Sequence, residues 1–400
     1  MRDWATLEHQ YFMNTGHRRL GITVVRGDGA KVWDETGREY LDFIAGWAAC
    51  SIGHCHPVIR HTLEEQGGKL ILAGYDVYTI PQIELAERLT SATGLHKVFF
   101  CNSGAEANEG AVKLARKYGK LHLHGAYEVI SALRGFHGRT LAMVAATGKP
   151  EHQAPFTPLP VGFTHVPFND IQALRAAVKD TTCAILLEPI QGEGGVHVPD
   201  EEYLKEVRRL CDERGLLFIL DEVQTGCGRT GTLWGHEQFG VTPDIMTLGK
   251  GLGGGVPIGA IVVNERAACF GPGDHGSTFG GNALCTAVAA AVFQYIVAED
   301  LPGNAARTGG YFRDRLLDLQ EKFDIIKEVR GRGLLVGLEF SAPIALPVVQ
   351  ACCQLGLLGN PLPPQTIRFM PPLTIQRHNV DRAIQILDAA IKQVSPEDSP

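Results

Sequence analysis

At 400 residues the chain is too long for one simple core, so two domains are the natural expectation. Its composition, 44% hydrophobic and 20% charged with a mean hydropathy of −0.01, is that of an ordinary globular protein. A net charge of −7, a pI near 6.1 and no block of basic residues argue against nucleic acid or an acidic membrane as partner, since both require a clustered positive field.

The opening MRDWATLEHQ lacks the apolar core of a secretory signal, and the most apolar stretch, residues 285–298, is interrupted by Gln294 and too short to span a bilayer. Cytoplasm is the expected location. The ten cysteines are scattered without a C-x-x-C pair, and adjacency makes a Cys352–Cys353 bridge sterically poor. They are expected to be reduced thiols acting mostly as small buried hydrophobes.

In chain order, residues 24–29 and 31–37 read as short strands joined by Gly/Asp turns. From about residue 80 helices alternate with short buried strands: a helix over 80–95, a strand over 98–100, and a helix over 105–118 whose Ala111, Leu114, Ala115 and Tyr118 share one face. Residues 184–187 and 216–220 are continuous apolar runs, as in a parallel sheet covered on both sides, and 244–248 and 258–263 look similar. This is an α/β pattern, whose active sites lie beyond the carboxyl ends of the strands. After residue 300 come a helix over 308–323, strands over 334–340 and 366–369, and a closing helix over 380–394. The expected division is an N-terminal segment, 1–50, packing with a smaller α+β domain, 298–400, around a large domain, 51–297.

Three features lie where an α/β site belongs. Asn102-Ser103-Gly104-Ala105-Glu106 separates a strand from a helix; its small residues expose N–H groups at a helix start, where the dipole favours phosphate. A plain Ser N-cap accounts for it equally well. Asp221 ends a wholly apolar strand, where a carboxylate is costly unless a cation or strong donor faces it. A protonated pyridinium nitrogen would be such a partner, and a helix cap or a metal-binding Asp-Glu pair are the alternatives. Lys250, in Leu248-Gly249-Lys250-Gly251-Leu252-Gly253-Gly254-Gly255, is suited by partial desolvation to imine formation with a carbonyl cofactor. The formal G-x-G-x-x-G hit at Gly249, Gly251 and Gly254 fails because Pro257 and a strand follow instead of a helix.

No P-loop and no G-x-S-x-G elbow is present. His54 with His56, and His122 with His124, have same-face strand spacing, but no acidic or cysteine cluster accompanies either pair, so no metal is expected.

With those residues in hand, nearly the whole chain resembles the class III aminotransferases, pyridoxal-5'-phosphate enzymes of fold type I. The matching motifs include Gly53-His54-Cys55-His56-Pro57, Ser103-Gly104-Ala105-Glu106-Ala107-Asn108-Glu109, Phe136-His137-Gly138-Arg139-Thr140 and Glu188-Pro189-Ile190-Gln191-Gly192-Glu193. Asp221-Glu222-Val223-Gln224-Thr225-Gly226, the Lys250 motif and Ile367-Arg368-Phe369-Met370-Pro371-Pro372-Leu373 continue them. Within the class, Gly273-Asp274-His275-Gly276-Ser277-Thr278-Phe279-Gly280-Gly281-Asn282 is similar to the acetylornithine aminotransferase group.

The resemblance implies a large domain with a mostly parallel sheet plus a smaller α+β domain, pyridoxal 5'-phosphate as cofactor, and an obligate homodimer with shared sites. It implies that Lys250 and Asp221 are catalytic, with Asp221 at the ring nitrogen. Ser103, Gly104 and Ala105 would bind phosphate, Phe136 would stack on the ring beside His137, Val223 would pack against it, and Gln224 would reach its 3'-oxygen. Thr278 would reach the partner subunit's phosphate, with Ser277 beside it near the substrate.

Arg139 would hold the donor's distant carboxylate and Arg368 the near carboxylate of 2-oxoglutarate, with Glu193 pairing to Arg368 while the donor is bound; guanidinium groups suit both because they grip carboxylates bidentately. Where relatives often carry a carboxylate-binding tyrosine, this chain has Gly16-His17-Arg18-Arg19, with His17 near the expected place. The implied reaction moves the δ-amino group of N-acetylornithine to 2-oxoglutarate. Ornithine, 4-aminobutyrate and carrier-bound aminoadipate-semialdehyde enzymes share nearly every other motif, whereas dialkylglycine decarboxylase lacks the counterpart of Glu193. A non-catalytic regulator of the same fold is the alternative from another class.

Overall fold

A computed structural model describes residues 3–15, 20–74 and 76–395. Its centre is a seven-stranded sheet made of β4 (Lys97–Cys101), β5 (Glu128–Ala132), β6 (Phe163–Val166), β7 (Thr182–Leu187), β8 (Leu217–Asp221), β9 (Ile245–Leu248) and β10 (Gly259–Val263), in the order β4-β10-β9-β8-β7-β5-β6. From β9 to β6 all neighbours are parallel. Every residue of β7 and β8 is buried, as their unbroken apolar runs require.

One expectation is corrected. The run at 258–263 looks like its parallel neighbours, yet β10 is antiparallel to both β9 and β4. Residues 249–258 hold only the short 3-10 turn Lys250–Leu252, and a parallel return needs a longer crossover, usually a helix. Because β10 is reversed, β4 points the same way as β9. The carboxyl ends of β4, β5, β7, β8 and β9 therefore share one edge.

The 80–95 helix is observed as Ile80–Thr93, closed by Gly94 in the left-handed region (φ 66°), the usual helix stop. The 105–118 helix runs longer, Gly104–His122. Gly119 does not end it. A Cβ there would come within 2.0 Å of the Ala126 carbonyl oxygen, so glycine is what lets this helix press on the sheet. The apolar helix Ala283–Ala298 is a core element packed against helices Pro57–Gly67 and Ile80–Thr93, and among the described residues no single helix is long and apolar enough to cross a membrane.

Two smaller sheets flank this body. Strands β1 (Val24–Asp28), β2 (Lys31–Asp34) and β3 (Glu39–Asp42) are joined in parallel by β13 (Leu357–Leu358). Strands β11 (Ile326–Arg332), β12 (Leu335–Phe340), β15 (Thr366–Phe369) and β14 (Asn360–Leu362) form the second, antiparallel throughout. Phe43, Phe312 and Phe369 meet edge to face, with centroids 5.4–6.3 Å apart, and this fixes β15 against the N-terminal sheet. All ten cysteines are free and most are buried.

Candidate active site

Each parallel strand ends in a turn that delivers one part of a common cluster. After β4, Ser103 caps helix Gly104–His122, its Oγ accepting from the Glu106 N–H at 3.2 Å. The first helical N–H groups, at Gly104 and Ala105, have no carbonyl within the helix to bond. The turn cannot carry side chains: a Cβ on Gly104 would lie 2.6 Å from Val223, and one on Gly249 would lie 3.1 Å from the Gly104 nitrogen. Gly138 sits equally close to Ala105, so the segment after β5 closes on the same helix start.

Asp221 ends β8 with 3% exposure. Its Oδ2 accepts from His137 Nδ1 at 2.8 Å and Asn108 Nδ2 at 2.7 Å, and its Oδ1 from the Val223 N–H at 3.1 Å. Thr247 at the end of β9 orients Asn108, its hydroxyl donating to Asn108 Oδ1 at 2.7 Å. Burial opposes charge on His137, but the bond to Asp221 outweighs it and raises the imidazole pKa. His137 Nε2 is buried without a partner among the described residues. Oδ1 meanwhile keeps acceptor capacity beyond its single backbone bond.

Lys250 follows β9 in a left-handed backbone (φ 40°) and donates from Nζ to Gln224 Oε1 at 3.0 Å. Burial, then repulsion from Arg368, pushes its amine down to about 8. The same Gln224 oxygen accepts from Arg368 Nη1 at 3.1 Å, while its amide nitrogen donates to the Trp47 carbonyl at 3.3 Å.

Arg368, on β15, has no exposed surface. Its Nη2 pairs with Glu193 at 2.5 Å, and Asn360, its cross-strand partner on β14, accepts from Nη2 at 2.8 Å and Nε at 3.1 Å. Burial works against ionisation of Glu193, but Arg368, Lys250 and Lys149 together hold its carboxyl at about 2. Glu188, after β7, accepts from the Phe136 and Gly192 N–H groups at 3.1 and 3.0 Å and so ties the Phe136 segment to the one bearing Glu193. Arg139 is exposed, lies 5.3 Å from the centroid of the Phe136 ring, and has no carboxylate partner among the described residues.

Of the residues singled out from sequence, Ser103, Gly104, Ala105, Phe136, His137, Val223, Asp221, Gln224, Lys250, Arg139, Glu193 and Arg368 come together. Ser277 stands by the Ser103 turn, its Oγ accepting from Asn102 Nδ2 at 3.1 Å. Thr278 does not join the cluster in this chain; it is exposed in a surface recess with Leu72, Gln82 and Asn282. His17 lies outside the described residues. His54 is turned to Asp42 Oδ2 at 2.7 Å, and His56 caps the helix Pro57–Gly67. Sequence reasoning gave no role to Asn108, Asn360 or Thr247. Asn108 did leave a signal, a polar residue on a helix face otherwise lined by Ala107, Ala111 and Ala115.

This arrangement offers N–H groups for an anion, an acidic group with capacity for a buried cation, a partly neutral amine between them, and two guanidinium groups for carboxylates. Residues 12–391 match the sequence profile of the family described as "Aminotransferase class-III". The chain is 49% identical to the acetylornithine aminotransferase of Caldanaerobacter subterraneus subsp. tengcongensis, over 97% of this chain and 99% of that one. Among solved structures it is similar to the ornithine aminotransferase of Toxoplasma gondii ME49 (TM-score 0.95, 36% identity, 99% and 96% of the two chains). It is similar as well to the acetylornithine aminotransferase of Elizabethkingia anophelis (TM-score 0.87, 36% identity, 98% of each).

Proposed function

Because the chain belongs to the class-III aminotransferases, we propose that it transfers the δ-amino group of N-acetylornithine to 2-oxoglutarate, giving N-acetylglutamate 5-semialdehyde and glutamate. The observation that carries the substrate reading is the contrast between two arginines. Arg368 is buried and neutralised by Glu193, so a donor that brings no carboxylate near its amine meets no unpaired charge there. Arg139 is exposed and unpaired among the described residues, ready for a carboxylate at the far end of that donor. A keto acid with a carboxylate beside its carbonyl replaces Glu193 on Arg368.

The residues fit pyridoxal 5'-phosphate, the cofactor of this family. The side-chain-free turn at Gly104 and Gly249 leaves N–H groups for its phosphate, the open capacity of Asp221 Oδ1 suits its ring nitrogen, and Lys250 suits its aldehyde. When bound, this group supplies a carbon that takes up amines and a ring that accepts the electron pair released from the substrate carbon. Asp221, held by His137 and Asn108, keeps a positive charge in place at the ring nitrogen. Lys250, whose amine burial holds below its ordinary range, would take a proton from the donor's carbon and return it one step later. Gln224 holds that amine in reach and keeps Arg368 aligned beside it.

The assembly is part of the same proposal. Leu72 lines the recess that holds Thr278, and Ile71, Tyr78, Ile80 and Phe279, next in the chain to its lining residues, are exposed, which favours a homodimer in which Thr278 completes the partner's site. Residues 51–297 hold the cofactor, while 298–400 with 1–50 bring in Arg368; the pairing of β13 with β3 supports that grouping. The cytoplasm is the proposed location.

Half-reaction spectroscopy with acetylornithine, ornithine, 4-aminobutyrate and lysine-pathway analogues tests the substrate. Acetylornithine is expected to discharge the holoenzyme's visible band fastest, and a faster reaction with any other amine would move the assignment to that amine.

A further inference from the structure

Lys149, one of the cations that hold the Glu193 carboxyl low, stands beside it. Its Nζ donates to the backbone carbonyl of Glu193 at 2.9 Å, and among the described residues it pairs with no carboxylate. The ammonium is half-buried, and burial draws its pKa down although Glu193, Glu188 and Glu151 oppose the shift.

The backbone is fixed on both sides of the contact. Gly148 lies so near the Ala132 carbonyl that a Cβ would come within 2.4 Å of it, and the Lys149 N–H donates to Thr147 at 2.8 Å. Opposite, the Gly192 N–H is held by Glu188 and the Gly195 carbonyl accepts from Arg330 Nε at 2.7 Å. What remains able to turn between these ties is the Glu193 side chain, which is partly exposed while Arg368 is not.

We propose that Lys149 is the alternate partner of Glu193, a positioning residue whose ammonium receives the glutamate carboxylate when it leaves Arg368 and so sets how readily Arg368 opens to a keto acid. The proposal rests on the roles given above to Arg368 and Glu193. Its physical basis is a difference between two states. A carboxylate leaving a buried guanidinium loses its compensating charge, and a second cation within a side-chain rotation reduces that loss only in the opened state. In the closed state, in which the donor reacts, Glu193 already has Arg368, and Lys149 ranks behind Arg368 and Lys250 among the cations acting on it. Removing the ammonium therefore falls on acceptor binding and spares the donor half-reaction, whereas a residue that merely pinned the loop would affect both alike.

Binding of glutarate, a dicarboxylate without a reactive carbonyl, to the holoenzyme by calorimetry reads the opened state directly. Lys149→Met removes donor and charge, Lys149→Gln keeps a donor for the carbonyl, and Lys149→Arg keeps the charge. Glutarate affinity is expected to fall about tenfold in the first two and to stay within about twofold of wild type in the third. In a Glu193→Gln background, with no carboxylate to receive, the Lys149→Met effect is expected to vanish. The donor half-reaction rate, followed by absorbance, is expected to change far less than glutarate binding. Equal losses in both measurements, full affinity in Lys149→Gln, or an undiminished effect in the Glu193→Gln background would overturn the proposal. A wild type that binds glutarate but takes no amine from acetylornithine would instead count against the substrate reading.

Discussion

Replacing Lys250 with alanine is expected to lower turnover by about 10,000-fold while the protein stays folded and still binds pyridoxal 5'-phosphate. The loss is large because one amine serves both as attachment point for the cofactor and as the group that moves the proton. Folding is spared for three reasons. Alanine, like lysine, carries a Cβ, so the left-handed backbone at position 250 is no more strained than before. One hydrogen bond to Gln224 and the attraction of Glu193, Asp221 and Glu188 are given up, but the larger opposing effects, burial of the ammonium and its repulsion from Arg368, go with them. The midpoint of thermal unfolding should therefore stay level or rise.

A pH experiment on the unmodified apoprotein follows from the same residue. With the amine held at about 8, its neutral, reactive fraction grows as pH rises toward that value. Covalent cofactor uptake, followed by absorbance, should accelerate about tenfold per pH unit below 8 and level off above it, and Lys250→Ala should show no such phase. Residual turnover within about tenfold of wild type would exclude Lys250 from the proton transfer.

Asp221→Asn is expected to cost about 1,000-fold in turnover with little change in shape. The amide fills the same space but cannot balance a positive ring nitrogen, so electron flow into the ring loses its support. The effect reaches further, because Asp221 also raises the His137 pKa against burial. With the carboxylate gone, the bond that holds that pKa up is lost and burial draws it down. Stopped-flow measurement of the donor half-reaction separates this loss from weaker cofactor binding. A fall of less than about tenfold would show that the ring is not activated from this position.

The parts of the site that could be read from sequence are those whose neighbours in the chain already make them anomalous. Asp221 and Lys250 each follow a strand with no polar face, and Ser103 opens a helix directly after another. Arg368 and Glu193 carry no such mark; 175 residues separate them, and only the resemblance to a known family paired them. Asn360 was invisible because its role is fixed by the register that sets it opposite Arg368. The orientation of β10 is not legible in its residues, since burial on both faces makes a strand apolar whichever way it runs. The length of the connection from β9 was the better guide. Thr278, exposed here, acquires its expected role only if a second copy of the chain is present, which no pattern within one chain displays.

Borohydride reduction of the holoenzyme followed by peptide mapping tests most directly whether the ε-amine at position 250 carries the cofactor. The expected result is a single phosphopyridoxyl adduct on Lys250, absent from Lys250→Ala; an adduct on another lysine, or none at all, would contradict it.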